Sequence, residues 1–387
     1  MRIVHIAPNA PYNEGWGYQE NLLPKYQAKL GHEVTLIITN LEHKDGKKIE
    51  VNPTRYESRD GFYVVRKPIE QFKKNIPGST LLEHINIKDL LYELKPDIIF
   101  FHGLVNVSIF QAVNYKRKSD KNVSIIEDNH MDYNIGFNPR KSIKIKLVCQ
   151  FYKIMNKIVN PYIDHVYGVT PWRCTYAEKV LGVPRNKISL LMMGADDEKL
   201  NLDSKSEIRN EIRNKFNISK SDFVIVSGGK INKKKKIDIL AKACLKNEKV
   251  KLLLFGSLED DVKEEILNII HESNNIRYIG WIASDQVYEY FFASDLVFFP
   301  GQHSVLWEQA CASKVPCVFE KWDGMEHVNN GGNAKFISPI TENNIDITIK
   351  SLLFTPEYYK MKEISESEVT DIYLYSRIAK DSFDYKK

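Results

Sequence analysis

The stretch that most restricts the fold is Ala293 to Gly332. In it a short apolar run, DLVFF, ends in Pro300-Gly301, and is followed by SVLWEQACA and then PCVF. DLVFF has strand length, whereas SVLWEQACA sets Leu306, Ala310 and Trp307 on one helical face. Strand, sharp turn, helix and strand in immediate succession form a βαβ unit, and that connection makes the two strands parallel. Gln302, His303 and Ser304 then fall at a strand's carboxyl end and a helix's amino end. Open α/β sheets bind ligands there, and unpaired N–H groups attract anions. Glu308, one turn into the helix, is placed to accept hydrogen bonds from hydroxyl groups. An ordinary βαβ unit, with His303 capping the helix and Glu308 solvated, would show the same pattern.

The same alternation runs through the chain. IVHIA is a first strand, and the loop PNAPYNEGWG, with Gly15 and Gly17, must turn tightly before a helix from Tyr18 to Leu30 and the strand EVTLIIT. The loop is not G-x-G-x-x-G and no acidic residue closes the second strand at once, so a dinucleotide fingerprint is absent. After a polar insertion (42–59) and the strand FYVV, LLEHINIKDLLYELK reads as a helix leading into DIIFF and His102-Gly103. A helix from Val105 to Lys116 leads into VSIIED and Asn129-His130. Alternating helices and apolar strands predict a doubly wound parallel sheet whose carboxyl edge gathers Asn9 to Gly17, His102, and Asp128 with His130. Pro139 to Ile163 combines Arg140, Lys141, Lys144, Lys146, Lys153 and Lys157 with Leu147, Phe151, Ile154 and Ile158. This basic amphipathic helix is either a domain helix with one solvated face or a surface for anionic lipid headgroups.

HVYGV, a helix opened by Pro171, and ISLL follow, and the polar run Asn201 to Lys205 reads as a linker. The second half repeats the logic: a helix over Lys205–Phe216, the strand FVIVS, then Gly228-Gly229-Lys230 and a helix begun by INKKKKIDILAKAC. Glycine lets backbone approach a ligand, and Lys230 and Lys235 supply charge, which suits a diphosphate. The four lysines 233–236 as a set are by default a solvated loop. Ser367 to Asp384 reads as a final helix.

A chain of 387 residues, 43% hydrophobic, is long enough for two cores. The excess of 55 basic over 50 acidic side chains is too small to argue for nucleic acid as a partner. Five scattered cysteines without a C-x-x-C pair argue against a disulfide framework or a zinc site and fit a reducing compartment. MRIVHIA lacks the apolar core of a signal peptide, and no run reaches the ~18 apolar residues of a membrane span, so a cytoplasmic location is expected. Nothing in the sequence specifies an oligomeric state.

Taken together, LGHEVTLI, the strand-end His102 and His130, LLMMGADDEKL, GGKINKKKKIDILAKA and NIRYIGWIASDQVYEYFFASDLVFFPG followed by VLWEQACASKVPCV resemble glycosyltransferase family four, the retaining group 1 transferases of the GT-B fold. The resemblance spans nearly the whole chain. It implies an α/β architecture of two Rossmann-like domains facing a cleft: an acceptor domain at 1–200, a nucleotide-sugar donor domain at 201–365, and a C-terminal helix at 366–387 returning to the first. It implies donor contacts from Gly17, Gly229, Lys230, Lys235, Gln302, His303, Ser304, Val305, Leu306 and Glu308, with Glu308 on the nucleotide ribose. Gly15, Gly17, His102 and His130 would meet the acceptor. His130, Lys230 and Lys235 would carry the catalytic roles, the lysines neutralising the leaving diphosphate without a metal. No other cofactor is implied, and Asp-x-Asp does not occur in the chain.

The implied activity is transfer from a UDP- or GDP-sugar to a saccharide or lipid-linked saccharide in bacterial surface polysaccharide or glycoconjugate synthesis, with peripheral contact at the inner face of an anionic membrane. The chain departs from the pattern at Lys230, usually Arg; at Lys236, usually Gly; and at Pro300, where a glutamate normally meets the donor sugar. Gln302 or His303 stands in its place. The missing glutamate leaves a catalytically silent nucleotide-sugar or glycan binding protein of the same fold as the alternative.

Overall fold

The computed structural model describes residues 1–44, 47–71 and 79–386, so positions 45 and 46 of the polar insertion lie outside the description. The chain forms two compact units, Met1–Met192 with Ile378–Lys387, and Met193–Arg377. The sequence placed these divisions at 200/201 and 365/366.

In the first unit the strands are β1 (Arg2–Ala7), β2 (Glu33–Thr39), β3 (Arg55–Glu57), β4 (Tyr63–Lys67), β5 (Ile98–His102), β6 (Ser124–Asn129), β7 (His165–Gly168) and β8 (Ile188–Leu190). They form one sheet in the order β3-β4-β2-β1-β5-β6-β7-β8, parallel except for the edge pair β3 and β4. The second unit has β9 (Phe223–Ile231), β10 (Val250–Leu258), β11 (Ile276–Gly280), β12 (Leu296–Phe299), β13 (Cys317–Glu320) and β14 (Ala334–Ile337). Their order is β11-β10-β9-β12-β13-β14, parallel throughout.

Parallel sheets of this kind are covered by helices on both faces, so their strands read as unbroken apolar runs. Ile98 to Phe101 are each no more than 4% exposed. Among the parallel strands of each unit the order reverses once, between β1 and β5 and between β9 and β12. These are the switch points beside which a doubly wound sheet opens a crevice at its carboxyl edge.

Local chemistry sets several boundaries. The helix Pro171–Lys179 starts where the sequence indicated, with Thr170 accepting a hydrogen bond from the Arg173 N–H and Pro171 in the first turn. The helix expected from Leu81 forms only over Lys88–Leu94. Its first residues are diverted: Glu83–His84 pairs with Glu70–Gln71, and Gln111 holds the backbone of Ile85 and Ile87 at 2.9 and 3.0 Å. The polar insertion carries an antiparallel pair, Leu41–Lys44 with Lys47–Glu50.

The strand expected to stop at Ser227 continues to Ile231, because Gly228 to Ile231 keep pairing with Phe255 to Leu258. The expected tail helix is broken into a 3-10 turn (Glu368–Tyr373), an extended Leu374 and a helix (Tyr375–Asp381). Leu374 bridges Ala195, and the Ser376 N–H donates to Asp197 at 3.0 Å, which holds this part in the second unit. Ser382 instead joins the first unit, accepting from Gln27 at 3.0 Å and from the Tyr167 hydroxyl through its carbonyl at 3.2 Å.

One buried carboxylate anchors the start of β12. Asp295, 4% exposed, accepts from Arg209 and Arg213 at 2.5 Å each and from the Val224 N–H at 2.7 Å. Removing it leaves two guanidinium groups with only backbone carbonyls as acceptors and no counter-charge, and breaking a buried pair typically costs about 3 to 5 kcal/mol. Asp295→Ala is expected to lower the unfolding free energy of the full chain by that order in urea titration; a change under about 1 kcal/mol would show that the arginines repartner.

Candidate functional site

In the second unit two paired strand glycines, Gly229 of β9 and Gly256 of β10, and Gly301 in the turn after β12 lie at the carboxyl edge. Gly256 has φ +111°, and a Cβ there would lie 1.9 Å from the Gly229 carbonyl. A Cβ on Gly301 would lie 2.4 Å from the Lys234 carbonyl. Only glycine permits either approach. The close seat of Gly301 lets the Gln302 N–H donate to the Lys234 carbonyl at 2.9 Å and the Lys235 ammonium donate to the Gln302 carbonyl at 2.6 Å. Lys233–Lys235 is a 3-10 turn capped by Asn232, and Lys236 takes a left-handed φ of 52° at the position where the resembled family prefers glycine. Burial pulls the Lys235 pKa down to about 8. Lys230, its side chain 65% exposed, lies 3.1 Å from Glu259.

The residues after Pro300 divide by burial. Gln302, Ser304, Val305 and Leu306 are half-buried, and the Ser304 hydroxyl has no hydrogen-bond partner. His303 and Glu308 are buried, at 7% and 0%. Glu308 Oε1 accepts from Nε2 of both His303 and His327, each at 2.8 Å, while Oε2 has no partner. Burial raises the Glu308 pKa, but the two imidazoles outweigh it and hold the carboxyl well below its usual range. His303 also meets Trp307 edge-on at 5.2 Å. His303 is therefore turned into the protein, and Gln302 is left as the more accessible of the two candidates.

In the first unit β1, β5 and β6 deliver a buried relay. Ser382 Oγ donates to the Ala379 carbonyl (2.7 Å) and so accepts from Gln27 Nε2 (3.0 Å), which turns Gln27 Oε1 towards His5 Nε2 at 2.6 Å. Burial, reinforced by the charge of His102, lowers the His5 pKa to about 3. His5 is then neutral, with its proton on Nε2 and a lone pair on Nδ1, which lies 3.0 Å from His102 Nε2. His102 must donate there, and its Nδ1 donates to Asp128 at 2.6 Å. Both ring nitrogens carry protons, so His102 is an imidazolium. Burial pulls its pKa down, but the charge and hydrogen bond of Asp128 outweigh that and raise it.

Asp128 also accepts from the Gly103 N–H at 3.0 Å and Gln19 at 3.2 Å, and lies 3.4 Å from His130 Nε2. His130, about a third exposed, faces a cavity of about 430 Å³ whose polar wall includes Asn9, Glu20, His102, Asn106 and Asn129. Gly15 occupies a turn at φ 77° and Gly17 follows it in the loop between β1 and the helix Gln19–Lys29; neither lines this cavity.

Among the described residues, ligand-type atoms lie within 4.8 Å of one another in two separate groups, one of His102, Asp128 and His130 and one of His303, Glu308 and His327. In both the carboxylate already accepts imidazole N–H groups. Among the described residues no helix is long and apolar enough to cross a membrane.

Residues 208–363 match the family of glycosyl transferases group 1. The chain carries a group 1 glycosyltransferase domain. No curated protein sequence matches the chain. Solved structures similar to it include a glycosyltransferase from Rickettsia africae, at 16% identity and TM-score 0.72, covering 100% of this chain and 97% of the other. Sucrose-phosphate synthase from Thermosynechococcus elongatus gives 14% and 0.69, with 100% and 98% covered. Anabaena HepE in complex with UDP-glucose gives 14% and 0.65, with 98% of each covered. These likenesses show the fold, which is GT-B.

The glycosyltransferase domain contains one residue that sequence reasoning missed, His327, and the first unit contains several: His5, Gln19, Gln27 and Glu127. No periodic or spacing signal marks the histidines and glutamines, because their partners lie 19 or more residues away. Glu127, buried beside Asp128, has its pKa raised to about 8 by burial and then by that neighbour's charge, so it is a neutral acid at pH 7.

The histidines predict a stability maximum near neutrality. His5 and His165, lowered to about 3 and about 4 by burial, stay neutral when folded but bind protons when unfolded below about pH 6.5. Stability therefore falls as pH drops below that value. The raised His102 acts oppositely: its contribution is complete below about 6.5 and lost as pH rises through its folded pKa. Calorimetric Tm should peak between these limbs, and His165→Phe should flatten the acid limb; a monotonic profile from pH 5 to 9 would refute the assignment.

Proposed function

We propose that the protein transfers a glycosyl unit from a UDP- or GDP-sugar to a saccharide or lipid-linked saccharide acceptor, with retention at the anomeric carbon and without a metal. The observation that carries this reading is the stitched edge at the β9/β12 switch point. There the partly desolvated Lys235, the exposed Lys230 and the close-packed glycines stand beside Gln302 within the glycosyltransferase domain.

Lys230 and Lys235 neutralise the diphosphate as it departs, a fixed charge that strengthens as the leaving group becomes more negative. Glu308, oriented by His303 and His327, keeps a buried, unpartnered Oε2 that meets the ribose hydroxyls once donor binding opens access to it. Gln302 takes the place of the missing sugar-reading glutamate. On the front face of the sugar the C1–O bond to phosphate breaks as the bond to the acceptor oxygen forms, and the departing diphosphate takes the acceptor's proton. His130, held by Asp128, orients the acceptor in the first unit. The reading places the protein in the cytoplasm, peripheral to the inner face of an anionic membrane, and in the synthesis of a surface polysaccharide or glycoconjugate.

Pro300 in place of a glutamate favours a second reading, a silent binding protein of the same fold. Nucleoside diphosphate release in the presence of donor and acceptor separates the two. Release is expected, undiminished by EDTA, with Lys235→Ala and Glu308→Ala each lowering kcat/KM about 100-fold, or roughly 2.7 kcal/mol. Tight donor binding without turnover across a broad panel of acceptors would establish the silent protein. Because Lys235 must be charged, kcat/KM should fall as pH rises through about 8, and Lys235→Arg should carry that limb upward. A limb unmoved by the substitution would remove Lys235 from the role.

A further inference from the structure

Two departures from the resembled family, Lys236 in place of glycine and Pro300 in place of glutamate, meet at one ion pair. Lys236 ends the lysine turn at a left-handed φ of 52°, and its ammonium donates to Glu320 Oε1 at the end of β13. A lysine is strained where glycine would be free, and this contact of its side chain offsets the strain. In the sheet β12 lies between β9 and β13, so a side chain that leaves the turn after β9 and ends on β13 spans the end of β12. The shortened segment from Pro300 to Ser304 leaves the sheet there.

Register sets Glu320 beside the position of the missing carboxylate. Phe298 pairs with Val318 and Phe299 with Phe319, and one step further along each strand stand Pro300 and Glu320. Side chains alternate along a strand, so Glu320 projects on the face of Val318, which packs with the helix Ile237–Leu245 that Lys236 precedes. A carboxyl group at 320 thus shares the face and level that a side chain at 300 would take. The lysine turn also holds the neighbouring segment, through the bond from Lys235 to the Gln302 carbonyl at 2.6 Å.

The Glu320 side chain is 12% exposed, against 34% for Lys236, and its Oε2 is buried without a hydrogen-bond partner. The Ser304 hydroxyl and the Trp322 indole N–H, on the segments after β12 and β13, are also buried and unpartnered. Buried polar atoms that the chain itself leaves unsatisfied point to a ligand that satisfies them. A diphosphate offers only acceptors and would repel Glu320, whereas a sugar hydroxyl both donates and accepts and so suits all three atoms.

Resting on the transferase reading, we propose that Glu320 supplies, from the neighbouring strand, the carboxylate that position 300 lacks, and that its Oε2 accepts a hydroxyl of the transferred sugar once donor binding opens access to it. Lys236 holds the carboxylate in place, and Gln302 reads the sugar beside it as a neutral amide. The ligand class at this point is a hydroxyl-bearing glycosyl group on a nucleoside diphosphate.

Binding without acceptor tests this apart from turnover. The full-length protein is titrated calorimetrically with UDP and UDP-glucose and with GDP and GDP-mannose. In the pair that binds, Glu320→Ala should weaken the nucleotide sugar at least about ten-fold, the loss of one hydrogen bond to a charged group, and leave the free nucleoside diphosphate within about two-fold. Glu320→Gln keeps the size of the side chain and an acceptor for Lys236; it should weaken the nucleotide sugar alone, with circular dichroism and Tm as in the wild type. Nucleotide and nucleotide sugar weakened alike in both variants would make the Lys236–Glu320 pair a brace for the diphosphate turn and overturn the proposal, as would affinities that neither variant changes. A sugar-specific loss in a protein that releases no nucleoside diphosphate from any donor would keep Glu320 as the sugar reader and overturn the transferase reading instead.

Discussion

Parallel sheets covered on both faces leave polar chemistry one place to go. A strand interior in either unit is dry, so a charge there must be paired or lose its proton. The strand ends escape this because backbone N–H groups and turns become available where pairing stops. The arrangement of both units follows: the switch points β1/β5 and β9/β12 fix where a crevice can open, and the side chains beside them inherit the chemistry.

Both units meet the cost of a buried carboxylate there in the same way. Asp128 and Glu308 are each 0% exposed, and each is surrounded by two imidazoles. In low dielectric such a cluster is rigid, since releasing one partner strands a charge. The relay from Ser382 through Gln27 and His5 extends this in the first unit. It places the His5 proton on Nε2 and leaves both His102 nitrogens to donate, and the final segment of the chain thereby sets the protonation state of a residue at the cavity.

Much of the fold was legible because its signals are local. Apolar runs of strand length gave most strands of the two parallel sheets, Pro171 and Thr170 marked a helix start, and the spacing of Lys and Leu marked the amphipathic helix. The exceptions occurred where distant backbone competes. Glu83–His84 left the expected helix to pair with Glu70–Gln71, and Leu374 left the tail helix to bridge Ala195. At the site, the sequence marked Lys235 and His130 but left Gln302 and His303 as equals, because adjacent residues share every local signal. The fold separates them, since Trp307, Glu308 and His327 form the pocket into which His303 turns.

Hydrophobic periodicity and glycine placement are properties of neighbours along the chain, so the sequence by itself determined the alternating architecture, the parallel sheets and the strand ends that carry polar residues. Protonation and accessibility depend on what lies within a few ångströms in space. Only the tertiary structure, therefore, made His102 an imidazolium through His5 and Asp128, turned Glu308 inward against His303 and His327, and exposed one apolar face of Ile143–Val159 while burying the other.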